Sequence, residues 1–161
     1  MIFVNICEKY YLQVAEIYKE GIATKIATFE TKVPNWQTWN LKYHSFGRIA
    51  LIEKNQVLAW GSLSATSIRA VYKGVAEVSI YVKDSERGKG LGGKLLNQLI
   101  IISEQNLIWS LQASVFKENE ASLAMHKKCG FRVIGYKEKI AQLNCVWQDN
   151  IILERRSKLF N

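Results

Sequence analysis

The chain is poor in punctuation. Its one proline is Pro34, and no stretch is repeated or low in complexity, so nothing in the sequence reads as a linker or a second domain. We read one domain over residues 1–161, long enough to bury about two thirds of its unfolded surface. The three cysteines, Cys7, Cys129 and Cys145, are an odd number at no metal-ligand spacing. That argues against a disulfide framework or a metal site, and for reduced thiols in a cytoplasmic protein. No apolar run approaches a membrane span. The opening "MIFVNICEKYY" lacks a basic segment ahead of an apolar one, so no secretory signal is expected.

What is present is an ordinary globular mixture, 48% hydrophobic and 22% charged. Lysine and arginine number 22 against 14 acids, a net charge of +8 that favours anionic partners. The basic residues gather around Lys83 to Lys94, Lys127 to Lys139 and Arg155 to Lys158 rather than in one run. A small phosphate-bearing ligand fits this as well as DNA does. A basic nucleic-acid-binding module is the alternative of another class.

Apolar spacing alternates along the chain. "MIFVNI" reads as a strand; from Glu8 to Lys19, Tyr11, Leu12, Ala15 and Tyr18 recur at helical spacing, with Gly21 as the expected stop. A short helix is expected from Asn35 to Tyr43, with Pro34 at its start. "GRIALIEK" and "QVLAWGSLSA" read as a hairpin turning at "NQ", and "GVAEVSIYVK" as a further strand. A glycine loop then leads into a helix through "LGGKLLNQLIIISEQN". Strand "LIWSLQASV", helix "ENEASLAMHKKCG" stopping at Gly130, and closing strands "FRVIGYKEKIA" and "NCVWQDNIILERR" follow. The order β-α-α-β-β-β-α-β-α-β-β predicts an α/β fold, a mixed sheet flanked by helices.

The segment "SERGKGLGGKL" carries two overlapping patterns: Gly88, Gly90 and Gly93 form G-x-G-x-x-G, and Gly88 to Lys94 form G-x-x-x-x-G-K. A nucleoside-triphosphate loop needs Ser or Thr after the lysine, where Leu95 stands. A dinucleotide loop needs an acid at the end of the next strand, and "LIWSLQASV" has none. What both share remains: glycines that turn N–H groups inward at a helix start, a cradle for phosphate or pyrophosphate. A tight turn without a ligand is the bland alternative.

Read with Arg87, the segment is R-x-x-G-x-G, through Arg87, Gly90 and Gly92. It resembles the pyrophosphate loop of the GNAT superfamily of N-acetyltransferases, which bind acetyl-CoA. "ENEASLAMHKKCGF" resembles that superfamily's following helix through Asn119, Ser122, His126, Gly130 and Phe131. "ATFET", "RAVYKGVAEVSIYV" and "VWQDNIILER" resemble the phosphinothricin and methionine sulfone (L-amino acid) acetyltransferases, over roughly residues 1 to 156. The resemblance implies the GNAT fold with a splayed sheet, an acetyl-CoA-dependent N-acyltransferase without a metal, and a homodimer. Its partner is a small-molecule amine or amino-acid substrate, with no nucleic acid and no membrane. The acceptor is a small amino acid's α-amine, as in phosphinothricin, methionine sulfone or methionine sulfoximine; a polyamine, an antibiotic or a protein N-terminus is the alternative.

By the same resemblance, the strand at Ile80 and Val82 meets the pantetheine arm. Arg87, Gly88, Lys89, Gly90, Leu91, Gly92, Gly93 and Lys94 surround the pyrophosphate. Asn119 and Ser122 meet the arm from the next helix, and Lys127 or Lys128 reaches a phosphate, although both lysines also read as a solvated face. His126 stands where the superfamily places a tyrosine that protonates the departing thiolate, and reads equally as a packing histidine. Tyr72 is the alternative acid or a substrate contact. Arg69 is suited to grip a carboxylate or an oxygen-rich end. Phe29 and Glu30 shape the amine pocket, Phe29 reading also as core. Leu143 and Asn144 replace residues that the branch commonly uses beside the substrate. Trp147 and Asp149 keep a closing W-x-D, read mainly as structural.

The base can be argued from chemistry as well. Most amines are protonated at neutral pH, so that proton must be removed before attack. Alternation in "GVAEVSIYV" places Glu77, Ser79 and Tyr81 on one face. An acid in an apolar strand must be paired, solvated in a cleft or raised in pKa, and the last suits a base. Glu77 is the candidate; an edge-strand glutamate facing water is the alternative.

Overall fold

The computed structural model describes residues 1–160. Its strands are β1 Ile2–Asn5, β2 Arg48–Glu53, β3 Gln56–Ala65, β4 Val75–Val82, β5 Ser110–Phe116, β6 Arg132–Leu143 and β7 Val146–Arg156. Its helices are α1 Glu8–Ala23, α2 Trp36–Lys42, α3 Leu91–Gln105 and α4 Glu120–Lys128, in the predicted chain order. The sheet runs β1-β2-β3-β4-β5-β7-β6, antiparallel except where β4 meets β5. A parallel neighbour needs a crossover, and α3 supplies it. The parallel contact lasts three register pairs, Val75 with Ser110, Ala76 with Leu111 and Glu77 with Gln112. Beyond Glu77 the two strands part, and the sheet opens in a V.

The sheet separates two cores of different chemistry. On one face α3 buries Leu95, Leu96 and Leu99 against Leu63, Val78 and Leu111, each leucine contributing about 1.5–3 kcal/mol. On the other, α1 and α2 bury Tyr11, Tyr18, Trp39 and Tyr43 around Trp60. Trp39 meets Trp60 edge-on at 5.6 Å, and Tyr81 stacks on Trp60 at 4.6 Å. Asn35 starts α2 by accepting the Thr38 N–H at 2.9 Å, and the Pro34 carbonyl before it accepts the Tyr11 hydroxyl.

Local expectations give way in three places. Gly21 does not stop α1, which continues to Ala23; a Cβ at Gly21 would come within 2.7 Å of the Tyr81 ring. The glycine marks the close approach of α1 to β4. Leu12 faces solvent, and the buried face of α1 is Tyr11, Val14, Ile17, Tyr18 and Gly21. The β2–β3 hairpin turns on Lys54 and Asn55, with φ of 48° and 66°, one residue earlier than "NQ". Among the described residues no helix is long and apolar enough to cross a membrane.

Candidate active site

The V between β4 and β5 floors a cleft of about 770 Å³. β4 carries it from Glu77 to Val82, and the glycine loop follows, so the cleft has a glycine-loop end and a Glu77 end.

At the first end the backbone does the shaping. Gly88 and Gly90 both hold φ of 76°, and a Cβ at either would meet open space, so conformation rather than room demands glycine. Gly90 begins α3, whose first recorded bond runs from the Lys94 N–H to the Gly90 carbonyl at 3.2 Å. Among the described residues no backbone acceptor meets the N–H groups of Gly88 through Gly93. This row of donors at the positive end of a helix suits a phosphate or pyrophosphate. Gly92 serves packing as well: a Cβ there would lie 2.6 Å from Met125 Sδ, so it lets α4 close on α3.

Side chains brace this loop. Arg87 pairs with Asp84 at 2.8 Å and donates through Nε to the Val82 carbonyl at 3.3 Å. The Asp84 N–H donates to Glu20 of α1 at 2.7 Å. Asn119 caps α4 by accepting the Ser122 N–H at 3.2 Å, and its Nδ2 donates to the Ile26 carbonyl at 3.2 Å. It thereby ties α4 to the loop bearing Phe29 and Glu30, where Phe29 packs on Phe116 at 4.5 Å.

His126 is buried, edge-on to Phe131 at 5.1 Å, with Nδ1 2.8 Å from the Ser122 carbonyl. That bond assigns the ring hydrogen to Nδ1 and leaves Nε2 a buried acceptor without a protein partner. Burial lowers its pKa from the ordinary imidazole value, against the opposing pull of the Ser122 carbonyl. Near neutral pH the ring is therefore uncharged, with no proton on its free nitrogen. The edge-on contact with Phe131 and the bond to Ser122 suit a packing histidine, and the ring also lines the cleft.

The second end is made of side chains. Glu77 stands at the last β4–β5 pair, where the V begins. It is exposed because it faces the cleft, yet the dense walls beside it withdraw water and push its carboxyl above the ordinary range, opposed by Lys42 and Lys137. Burial holds Tyr43 up to about 12 and Tyr81 well above 10, so both phenols stay protonated. Lys42 lines the same wall, 3.3 Å from Glu30. Asn150 is buried, donates through Nδ2 to Ser114 Oγ at 2.7 Å, and keeps a buried, unpartnered Oδ1 at the cleft.

Of the residues singled out from sequence, the cleft brings together Phe29, Glu30, Glu77, Ile80, Val82, Arg87, Gly88, Gly90, Leu91, Gly92, Gly93, Asn119, Ser122 and His126. Lys89, Lys94, Lys127, Lys128, Arg69, Tyr72 and Asn144 lie outside its lining. Lys89 is held by Glu86 at 2.9 Å, and Lys94 and Lys128 point to solvent from their helices. Arg69 is exposed over the Tyr72 ring at 5.5 Å, and Tyr72 lines a shallower hollow with Gln112 and Glu154. Neither is placed as a wall of the Glu77 cleft. Asn144 is exposed in the β6–β7 turn with φ of 49°, a position chosen for turn geometry. Asp149 accepts from the Tyr136 hydroxyl and the Lys139 N–H, fastening the bulge of β6, as a structural residue would.

Sequence reasoning missed Lys42, Tyr43, Ser114 and Asn150. For Ser114 a signal existed: alternation in "SLQASVF" sets Gln112, Ser114 and Phe116 on one face, polar groups in an otherwise buried strand.

The Acetyltransferase (GNAT) family profile matches residues 12–131. The chain is 34% identical over 147 residues to YwnH of Bacillus subtilis, covering 88% of this chain and 90% of that protein. It is 30% identical over 139 residues to the L-methionine sulfoximine/L-methionine sulfone acetyltransferase of Pseudomonas aeruginosa, covering 83% and 81% of the two. The crystal structure of a phosphinothricin acetyltransferase from Sinorhizobium meliloti in complex with AcCoA overlays with a TM-score of 0.87 at 24% identity, over 96% of this chain and 87% of that one. The matched span takes in the open V, the glycine loop and both helices that close on it: the chain is an acyltransferase and belongs to the GNAT family of acetyltransferases.

Proposed function

We propose that the enzyme moves the acetyl group of acetyl-CoA directly to the α-amine of a small amino acid or analogue of the methionine sulfone, methionine sulfoximine or phosphinothricin type. The observation that carries this reading is the placement of Glu77. A carboxylate with raised proton affinity stands at the opening of the V, roughly 17 Å of strand from Val82, where β4 leads into the glycine loop and its row of free backbone donors.

Acetyl-CoA supplies an activated thioester when bound. The free N–H groups from Gly88 to Gly93 fit its pyrophosphate, and the unpaired edge of β4 at Ile80 and Val82 fits its amide arm by strand-like hydrogen bonding. Asn119 and Ser122 form the facing wall, and Lys94 and Lys128 add positive field outside it. Glu77 takes the proton of the incoming ammonium, directly or through water, and leaves a neutral amine; that amine attacks the thioester carbonyl, the C–S bond breaks, and the proton shed by the acylated nitrogen leaves with coenzyme A as its thiol. Glu30 and Phe29 wall the acceptor end. His126 orders α4 by packing.

The name carried by a relative supports the amino-acid class, since the sulfoximine/sulfone acetyltransferase of Pseudomonas aeruginosa is 30% identical to this chain. The test is acetyl-CoA-dependent thiol release with phosphinothricin, methionine sulfone, methionine sulfoximine, spermidine, an aminoglycoside and a free-N-terminal peptide, each repeated with Glu77→Gln. Turnover confined to the first three and lost in the variant is the expected result. Turnover on the last three alone sinks the substrate assignment. Salt-sensitive DNA binding without heat stabilisation by acetyl-CoA would instead favour the nucleic-acid module.

The reading extends to a single cytoplasmic domain working as a homodimer. Val133, Ile134, Tyr136, Ile140, Val146 and Trp147 stay exposed on the β6–β7 hairpin, an apolar stripe that a second copy would cover. Sedimentation at the monomer mass would remove that part of the reading.

A further inference from the structure

The Glu77 end of the cleft holds one charge that acetyl transfer to a plain amine does not explain. Among the described residues, the lysine and arginine lining the cleft are Lys42 and Arg87. Arg87 is engaged by Asp84 and the Val82 carbonyl at the glycine-loop end. Lys42 stands in the last turn of α2, its Nζ 3.3 Å from Glu30 Oε1, in the wall that also holds Tyr43, Ser64 and Glu77. An enzyme for cationic amines gains nothing from this ammonium. It repels the incoming cation, and its field lowers the affinity of Glu77 for the proton that Glu77 must collect. The charge becomes useful when the acceptor carries an anion beside its amine. An α-amino acid does, and Arg69, the residue first expected to grip that anion, lies outside the cleft lining.

We propose that Lys42 determines acceptor specificity by taking the α-carboxylate of the substrate, exchanging Glu30 for it while Glu77 receives the proton of the amine. The proposal rests on the acetyl-transfer reading above and adds the residue that selects zwitterions over plain amines. The Lys42–Glu30 pair suits such an exchange: its side chains are 46% and 51% exposed, so the ion pair is weak and opens readily. Glu30 keeps Lys42 compensated in the free enzyme and is itself released toward the substrate ammonium.

The test compares parent, Lys42→Met and Lys42→Arg on acceptors that differ only in the carboxylate: methionine sulfone and methionine sulfoximine against their carboxamides. Heat stabilisation by acetyl-CoA, measured on each variant, confirms a folded protein that binds donor. Lys42→Met should raise KM for the acids on the order of tenfold, the loss of one charge-assisted contact, with kcat nearly unchanged. KM for the carboxamides should move little, and Lys42→Arg should restore most of the loss for the acids. An acid-to-amide preference equal in parent and Lys42→Met overturns the assignment and leaves acetyl transfer standing. So does a change confined to kcat and the pH profile, which would make Lys42, with Lys137, only a modulator of Glu77. A parent that acetylates only acceptors without a carboxylate overturns the amino-acid reading itself.

Discussion

At the glycine-loop end the cleft is lined by backbone, and at the Glu77 end by side chains drawn from α2, β3, β4, β5 and β7. The first end is local: residues 84 to 94 supply the turn, the left-handed glycines and the start of α3. The second exists only once the sheet has set its registers, since Glu77 meets Gln112 across β4–β5 and Asn150 stands opposite Phe116 across β5–β7. Anion binding needs donors at fixed angles, which backbone provides at little entropic cost. Proton transfer and acceptor choice need charges of both signs, which backbone does not have.

That contrast breaks most sharply at Glu77. Glu77→Gln should lower kcat/KM by roughly 10²–10⁴-fold, the usual contribution of a positioned base. Binding of acetyl-CoA, followed by calorimetry, should stay unchanged. In the parent, kcat/KM should rise with pH as the carboxyl loses its proton, through a pKa displaced upward from the ordinary glutamate value. A variant that loses donor binding together with turnover would show that the two ends are not separable.

Gly90→Ala probes the opposite end. An L-residue at φ of 76° costs about 1–2 kcal/mol; a loop that relaxes from that conformation in the free variant must be restored by acetyl-CoA, which should bind roughly 5- to 30-fold more weakly. At saturating donor the KM for the acceptor should not move. Equal loss at both ends would mean that the loop also shapes the acceptor wall.

The same division decides what the sequence made legible. The element order and the glycine loop were readable because each rests on residues within one turn or one strand pair. Glu77 was readable for a different reason, an acid where alternation demands an apolar or paired group. Lys42, Tyr43 and Asn150 were not, because nothing near them in the chain says that α2 and β7 converge on β4. Arg69 and Tyr72 were drawn to the site by resemblance, yet the 3-10 turn Ala70–Tyr72 sets Tyr72 in a neighbouring hollow and leaves Arg69 exposed over its ring. Gly21 was misread because a glycine required by a neighbour's ring looks, in sequence, like one required by a helix end.

Asn119→Ala touches both ends, since the side chain caps α4 and holds the Ile26 carbonyl of the acceptor loop. Loss of the cap costs about 1 kcal/mol, or some 2–4 °C in Tm. Release of the loop should raise KM for the acceptor more than for acetyl-CoA. Equal effects on the two would confine Asn119 to capping.

The smallest effect concerns stability, and its sign follows from the direction of the Glu77 shift. The folded carboxyl holds its proton more tightly than the unfolded chain does, because the cleft walls desolvate the charged form. Folding is therefore favoured most while the group is protonated in both states. That advantage declines as pH rises from the unfolded carboxyl range through the folded pKa, and is gone above it. Glutamine does not titrate, so Glu77→Gln should gain Tm relative to the parent between acidic and neutral pH. His126 runs the other way: its folded pKa is depressed, so its contribution is lost as pH falls through the ordinary imidazole range. Melts of parent and Glu77→Gln from acidic to neutral pH separate the two, because the His126 slope is common to both proteins and cancels in the difference. A difference in Tm that stays flat with pH would mean that Glu77 is no more desolvated than a surface glutamate.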